Sequence, residues 1–103
     1  MAIAFRNQRI PFFFFSLFVS LASFSQTVQD IHNKYRPQLD TVQNHSARIK
    51  KWVWYVYEMM EVNVDSSLPV LELAEADSKR LNSQYGIGKT ISYRGQIAIA
   101  KND

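Results

Sequence analysis

The sequence predicts an all-α fold, an antiparallel helical hairpin behind an N-terminal signal peptide, and three observations predict it. Apolar residues recur in steps of three and four from Leu39 to Met60. A second such stripe runs from Leu71 to Tyr85. Between them lies only a short segment, Val64 to Leu68, which suits the turn of an αα-hairpin.

The leader comes first. Arg6 and Arg9 precede an apolar run from Ile10 to Leu21, and small residues Ser23 and Ser25 fit a signal-peptidase site before Gln26. A membrane-spanning helix needs roughly 20 apolar residues, so this run reads as a leader rather than an anchor. The expectation is export through the inner membrane to a periplasmic or outer-membrane-associated location. All seven phenylalanines fall within residues 1–25. Beyond them stand ten Lys and Arg against nine Asp and Glu, a net of about +1. Nucleic-acid binding needs a clustered cationic surplus, which is missing. With no cysteine, a disulfide scaffold and a Cys-based zinc or redox site are excluded.

Residues 26–103 read as one small helical region. Val28, Ile31 and Tyr35 form a short stripe, with Thr27 as N-cap, for a lead-in helix over 27–36. Pro37 fits the first turn of the next helix, 38–63, whose stripe is Leu39, Val42, Ser46, Ile49, Val53, Val56 and Met60. Trp52 and Met59 widen that stripe. A strand over Lys51 to Val64 is the competing reading, because Trp52 to Tyr57 is rich in β-formers. It would be apolar on both faces and would run into Glu58-Met59-Met60-Glu61, so helix is preferred.

The helix 67–85 has Ser66 and Ser67 as caps, Pro69 in its first turn, and Glu72 and Glu75 toward its positive end. Its stripe is Leu71, Ala74, Ser78, Leu81 and Tyr85, in which Ala74 and Ser78 are small enough for another helix to approach closely. Gly86 is expected at the C′ position. Residues 91–101 remain a short helix or a strand: Ile91, Tyr93, Ile97 and Ile99 alternate, while Ser92 suits a helix cap.

No catalytic constellation is legible. Gly86-Ile87-Gly88-Lys89-Thr90 has the end of a phosphate-binding loop, but Ser83 stands where its first glycine belongs and the segment follows a helix, so a cap and turn is the better reading. His32 and His45 lack surrounding carboxylates and read as surface residues. Glu58 and Glu61 read as a solvated helix face. No metal or cofactor is expected, and the chain is not expected to be an enzyme. The candidate partner interface is Trp52, Trp54, Tyr55 and Tyr57, joined by Tyr85. On a helix Val53 and Val56 point into the stripe while Trp54, Tyr55 and Tyr57 fan round the outside, more aromatic surface than one hairpin can bury.

Leu73-Ala74-Glu75, then Leu81, Tyr85, Gly86, Gly88, Ile91, Ser92, Ala98 and Ala100, resembles the coiled-coil repeat of TolC-like outer-membrane efflux proteins. The stretch from Lys51 to Met60 is similar to the helix preceding that repeat. The resemblance covers about residues 47–103 and favours helix for 92–101. Members of that family are several times longer, so it implies a truncated or internally deleted member that packs coiled-coil helices in the periplasm. The partners it implies are other helices of an oligomer or a periplasmic adaptor-type protein. Two functions follow from the sequence. One is a fragment of an efflux or transport channel. The other is a small secreted module that binds a protein partner or a membrane surface through the Trp52–Tyr57 patch.

Overall fold

A computed structural model describes residues 26–102; the leader and its cleavage site lie outside the described residues. Among the described residues there are four helices: α1 (Val28–Thr41), α2 (His45–Val62), α3 (Val64–Arg80) and α4 (Gln84–Asn102). The all-α class is as the sequence predicts, and 91–101 is helix. Consecutive helices run antiparallel. Arg48 near the start of α2 meets Asp77 near the end of α3, Gly86 of α4 faces Ser78 of α3, and Lys34 of α1 meets Glu58 of α2. The second helix is the hub, packing against the other three.

Thr27 caps α1 as expected. Its hydroxyl accepts from the Asp30 N–H at 3.0 Å, and the Asp30 carboxylate accepts from the Thr27 N–H at 3.1 Å, a reciprocal capping box. The helix then continues past Pro37 to Thr41 instead of ending at residue 36. Pro37 removes only the bond to the Asn33 carbonyl, and both residues are exposed, which leaves that oxygen open to solvent. The next helix begins at His45, because Asn44 takes the N-cap role and accepts from the Ala47 N–H at 2.9 Å.

The turn expected over Val64 to Leu68 is helix. Asn63 alone joins α2 to α3, in extended backbone at φ −160°. Its N–H donates to the Met59 carbonyl at 2.8 Å, and its side chain accepts from the Ser66 N–H at 2.9 Å. One asparagine thus ends one helix and starts another, displacing Ser66 and Ser67 as caps. Pro69 consequently lies inside α3 rather than in its first turn.

The expected end at Gly86 is also corrected. Asn82 adopts the left-handed conformation, φ 54°. Its N–H bonds to the Lys79 carbonyl at 3.0 Å and the Ser83 N–H to the Ser78 carbonyl at 2.8 Å, the paired closure of a Schellman motif. Asparagine supplies what glycine was expected to supply. Ser83 then caps α4, its hydroxyl accepting from the Gly86 N–H at 3.0 Å, so neither Gly86 nor Ser92 is a cap.

Gly86 is instead buried where three helices cross. A Cβ there would sit 2.8 Å from Ile49 Cγ2 and 2.9 Å from Ser78 Cβ, and closer still to Ser78 Oγ. The close approach expected at Ala74 and Ser78 is found, with both residues buried. Around them the core joins Ile49, Val53, Val56 and Met59 of α2 to Val70 and Leu71 of α3 and to Tyr93 and Ile97 of α4. Ile31, Tyr35 and Leu39 of α1 extend it across the far side of α2. Each such side chain contributes about 1.5–3 kcal/mol of burial.

Candidate functional site

The five aromatic residues expected at a partner interface separate into two groups. Trp54, Tyr57 and Tyr85 are exposed, at 57%, 41% and 52% of their surface, whereas Trp52 and Tyr55 are 8% and 2% exposed. The correction has a geometric cause. The lead-in segment is a full helix seated on α2, and it covers Tyr55, while α3 covers Trp52.

Inside, Tyr35, Tyr55 and Trp52 stack as a ladder. The first two rings lie 5.2 Å apart at 13° and the second pair 5.7 Å apart at 8°. The Trp52 indole N–H donates to Asp77 at 2.9 Å. Asp77 also accepts from Arg48 Nε at 2.5 Å and from Arg80 at 2.6 and 2.9 Å. Burial is the largest influence on this carboxyl and opposes its charge, but the bonds from Arg48, Arg80 and Trp52 together outweigh it and hold its pKa below the ordinary value.

Polar contacts fasten α1 beside the ladder. The Tyr35 hydroxyl donates to the Glu58 carboxylate, which also accepts from Lys34 at 3.0 Å. Burial first, and then this acceptor, push the Tyr35 pKa well above the usual phenol range. Glu58 is therefore engaged rather than simply solvated. His32 is a hydrogen-bond partner of the Tyr55 hydroxyl through Nδ1 and is half-buried, not a free surface residue. Burial, then the positive charge of Arg36, lower its pKa.

The outer group forms the candidate site, an aromatic and cationic face along the solvent side of α2. The rings of Trp54 and Tyr57 meet edge to face at 5.6 Å and 88°. On one side, Tyr85, Lys89 and Tyr93 of α4 close a hollow of about 180 Å³ against Val53, Trp54 and Tyr57. Lys89 Nζ stands 6.0 Å from the centroids of both Tyr85 and Tyr93, within cation–π range. On the other side, Lys34 and Gln38 of α1 face Lys50, Lys51 and Trp54 across a groove of about 320 Å³. Trp54 is the shared wall. Lys50, Lys51 and Lys89 form no ion pair among the described residues.

Such a face can bind but offers little for bond-making chemistry. His45, Ser46 and Ser83 line a shallow hollow near Tyr85, with no hydrogen bond between the imidazole and either hydroxyl. Among the described residues, no group of three or more His, Cys, Asp and Glu is placed to hold a metal ion. Gly86 to Thr90 lies inside α4, with Gly86 buried at a helix crossing, so the segment forms no phosphate-binding loop. No family model matches this chain, and no curated protein or solved structure shows significant similarity to it.

Sequence reasoning missed Arg48 and Asp77. Their signal was present: an acid on the buried stripe side of α3 requires a cationic or N–H partner, since a buried charge without one is costly.

Proposed function

We propose that this chain is an exported, non-catalytic helical binding module that docks on an anionic membrane surface through the Trp54 face. The observation that supports this reading is Trp54 itself, a large indole left mostly in water between two hollows edged by lysines. Indole and phenol rings settle at the headgroup level of a bilayer, and lysines near an anionic surface add about 1 kcal/mol each. Among the described residues no helix is long and apolar enough to cross a membrane, so the docking proposed is peripheral. Export rests on the leader pattern in residues 1–25.

Co-sedimentation with vesicles tests the proposal. The protein should pellet with phosphatidylglycerol-containing vesicles and remain in solution with pure phosphatidylcholine. Trp54→Ala combined with Lys50→Gln and Lys51→Gln should weaken the binding at least about tenfold with unchanged circular dichroism, a loss of about 1.4 kcal/mol. Equal binding by that variant, or none by the native chain, contradicts it.

A second reading follows from the resemblance to efflux-type outer-membrane proteins, a chain that packs its helices against others in the periplasm. One observation favours it. Gly88 and Gly95, together with Ile91 and Ile99, are exposed on α4, and among the described residues nothing within 4 Å of either glycine requires it to lack a side chain. Analytical ultracentrifugation separates the readings. Self-association abolished by Gly88→Leu and Gly95→Leu supports packing, and a monomer at all concentrations counts against self-assembly by that face.

A further inference from the structure

On the opposite flank of α1 from Trp54, three guanidinium groups from three helices gather on one side of Trp52. Arg48 of α2 is held at two points, its Nε on Asp77 at 2.5 Å and its Nη1 on the Leu39 carbonyl. Arg80 of α3 holds the other Asp77 oxygen through Nε at 2.9 Å and Nη2 at 2.6 Å. Arg36 of α1 donates through Nε to the Tyr55 hydroxyl at 3.3 Å. These contacts leave Arg48 Nη2, Arg80 Nη1 and both Nη atoms of Arg36 without a partner among the described residues.

Two adjoining hollows open there, of about 290 and 220 Å³, sharing Arg48, Trp52 and Leu73 as walls. Arg80 and Asp77 line the first, and Arg36 and Asp40 the second. Three cations therefore stand against two carboxylates, leaving one positive charge over. Guanidinium forks match carboxylate and phosphate geometry, and those of Arg48 and Arg80 are already oriented by a carboxylate that is itself buried. Leu73 is 55% exposed and gives the site an apolar rim.

We propose that this arginine-lined hollow binds a small organic anion, a carboxylate or phosphate ester with an apolar body. The charged head takes the free N–H groups of Arg36, Arg48 and Arg80, and the body lies against Leu73 and Trp52. The site is separate from the lysine-edged face at Trp54 and stands whether or not that face meets a membrane.

Trp52 is the built-in reporter. In the Trp54→Phe protein, titration with phenyl phosphate and with benzoate should give a saturable change in Trp52 emission, and benzyl alcohol should give none. Arg36→Gln or Arg80→Gln should each weaken binding at least about tenfold, as expected for a lost charge-assisted hydrogen bond. Lys50→Gln with Lys51→Gln should leave it unchanged. Arg48 stays native in these variants, because its loss would take from the buried Asp77 its less exposed cationic partner. Vesicles containing phosphatidic acid distinguish a lipid headgroup from a soluble anion as the source: competition with phenyl phosphate that survives Lys50→Gln and Lys51→Gln assigns the headgroup to this hollow, and its absence assigns the soluble anion. No saturable response, an equal response to benzyl alcohol, or binding indifferent to Arg36→Gln and Arg80→Gln together overturns the proposal.

Discussion

Trp52 and Trp54, two residues apart on α2, lie on opposite flanks of α1: one donates its indole N–H to the buried Asp77 at 2.9 Å, and the other projects into solvent. A helix advances about 100° per residue, so this pair separates a structural tryptophan from one free to bind. Trp54→Phe should leave emission that is blue-shifted and protected from acrylamide, a neutral quencher. Trp52→Phe should leave red-shifted, quenchable emission and should cost about 1–3 kcal/mol, because Asp77 loses a buried donor. Steady-state quenching together with urea titration checks both halves.

Asp77 is the polar anchor of the bundle. Asp77→Ala removes the partner of Arg48, whose side chain is only 25% exposed, and should cost about 3–5 kcal/mol. A core of this size rarely supplies more than ~3–5 kcal/mol, so the variant should be largely unfolded by circular dichroism at 25 °C. Arg80→Gln, at a side chain 63% exposed, should cost less than about 1 kcal/mol.

Stability should fall in two stages on acidification. Burial and Arg36 lower the pKa of His32, so the native state disfavours its protonation, and the resulting stability is lost as pH drops through the unfolded value near 6.5. The Asp77 pKa is also lowered, so its contribution is full above about pH 4 and is lost below that. On the alkaline side the Tyr35 pKa is raised, so its contribution is full below about pH 10 and falls above it as the unfolded chain ionises first. Urea midpoints measured from pH 3 to 11 should trace a plateau between about 7 and 9.5.

The three glycines of α4 should answer differently to alanine. Gly86→Ala must displace Ser78 and Ile49 and should cost about 1–3 kcal/mol. Gly88→Ala and Gly95→Ala meet open space and should each stabilise the helix by up to about 1 kcal/mol. Ser78→Ala removes a buried hydroxyl that has no hydrogen-bond partner among the described residues and should stabilise by about 1 kcal/mol. Thermal melts of the four variants check the order.

The hydrophobic period made the helices of the hairpin legible, because Ile49, Val53 and Val56 recur at helical spacing and are the residues buried. Helix ends were less legible. The commonest local roles of Pro37, Pro69 and Gly86 point to other boundaries than those that Asn44, Asn63 and Asn82 hold. Nothing in local chemistry ranks an asparagine cap above a nearby serine or glycine; packing does, by choosing where each helix must stop to reach its neighbour. The candidate site was half legible. Exposed and buried aromatics cannot be sorted along α2 until α1 is known to be a full helix that covers Tyr55. The stripe of α4, Gly86, Thr90, Tyr93 and Ile97, is hidden in the sequence because two of its four members are not apolar.

The most direct test of the proposed membrane docking is quenching of tryptophan emission by phosphatidylglycerol brominated in its acyl chains. If Trp54 enters the interface, vesicles of this lipid should quench the native protein strongly. They should quench the Trp54→Phe protein hardly at all, since Trp52 stays inside the bundle. Equal quenching of the two proteins, or none of either, would contradict docking through Trp54.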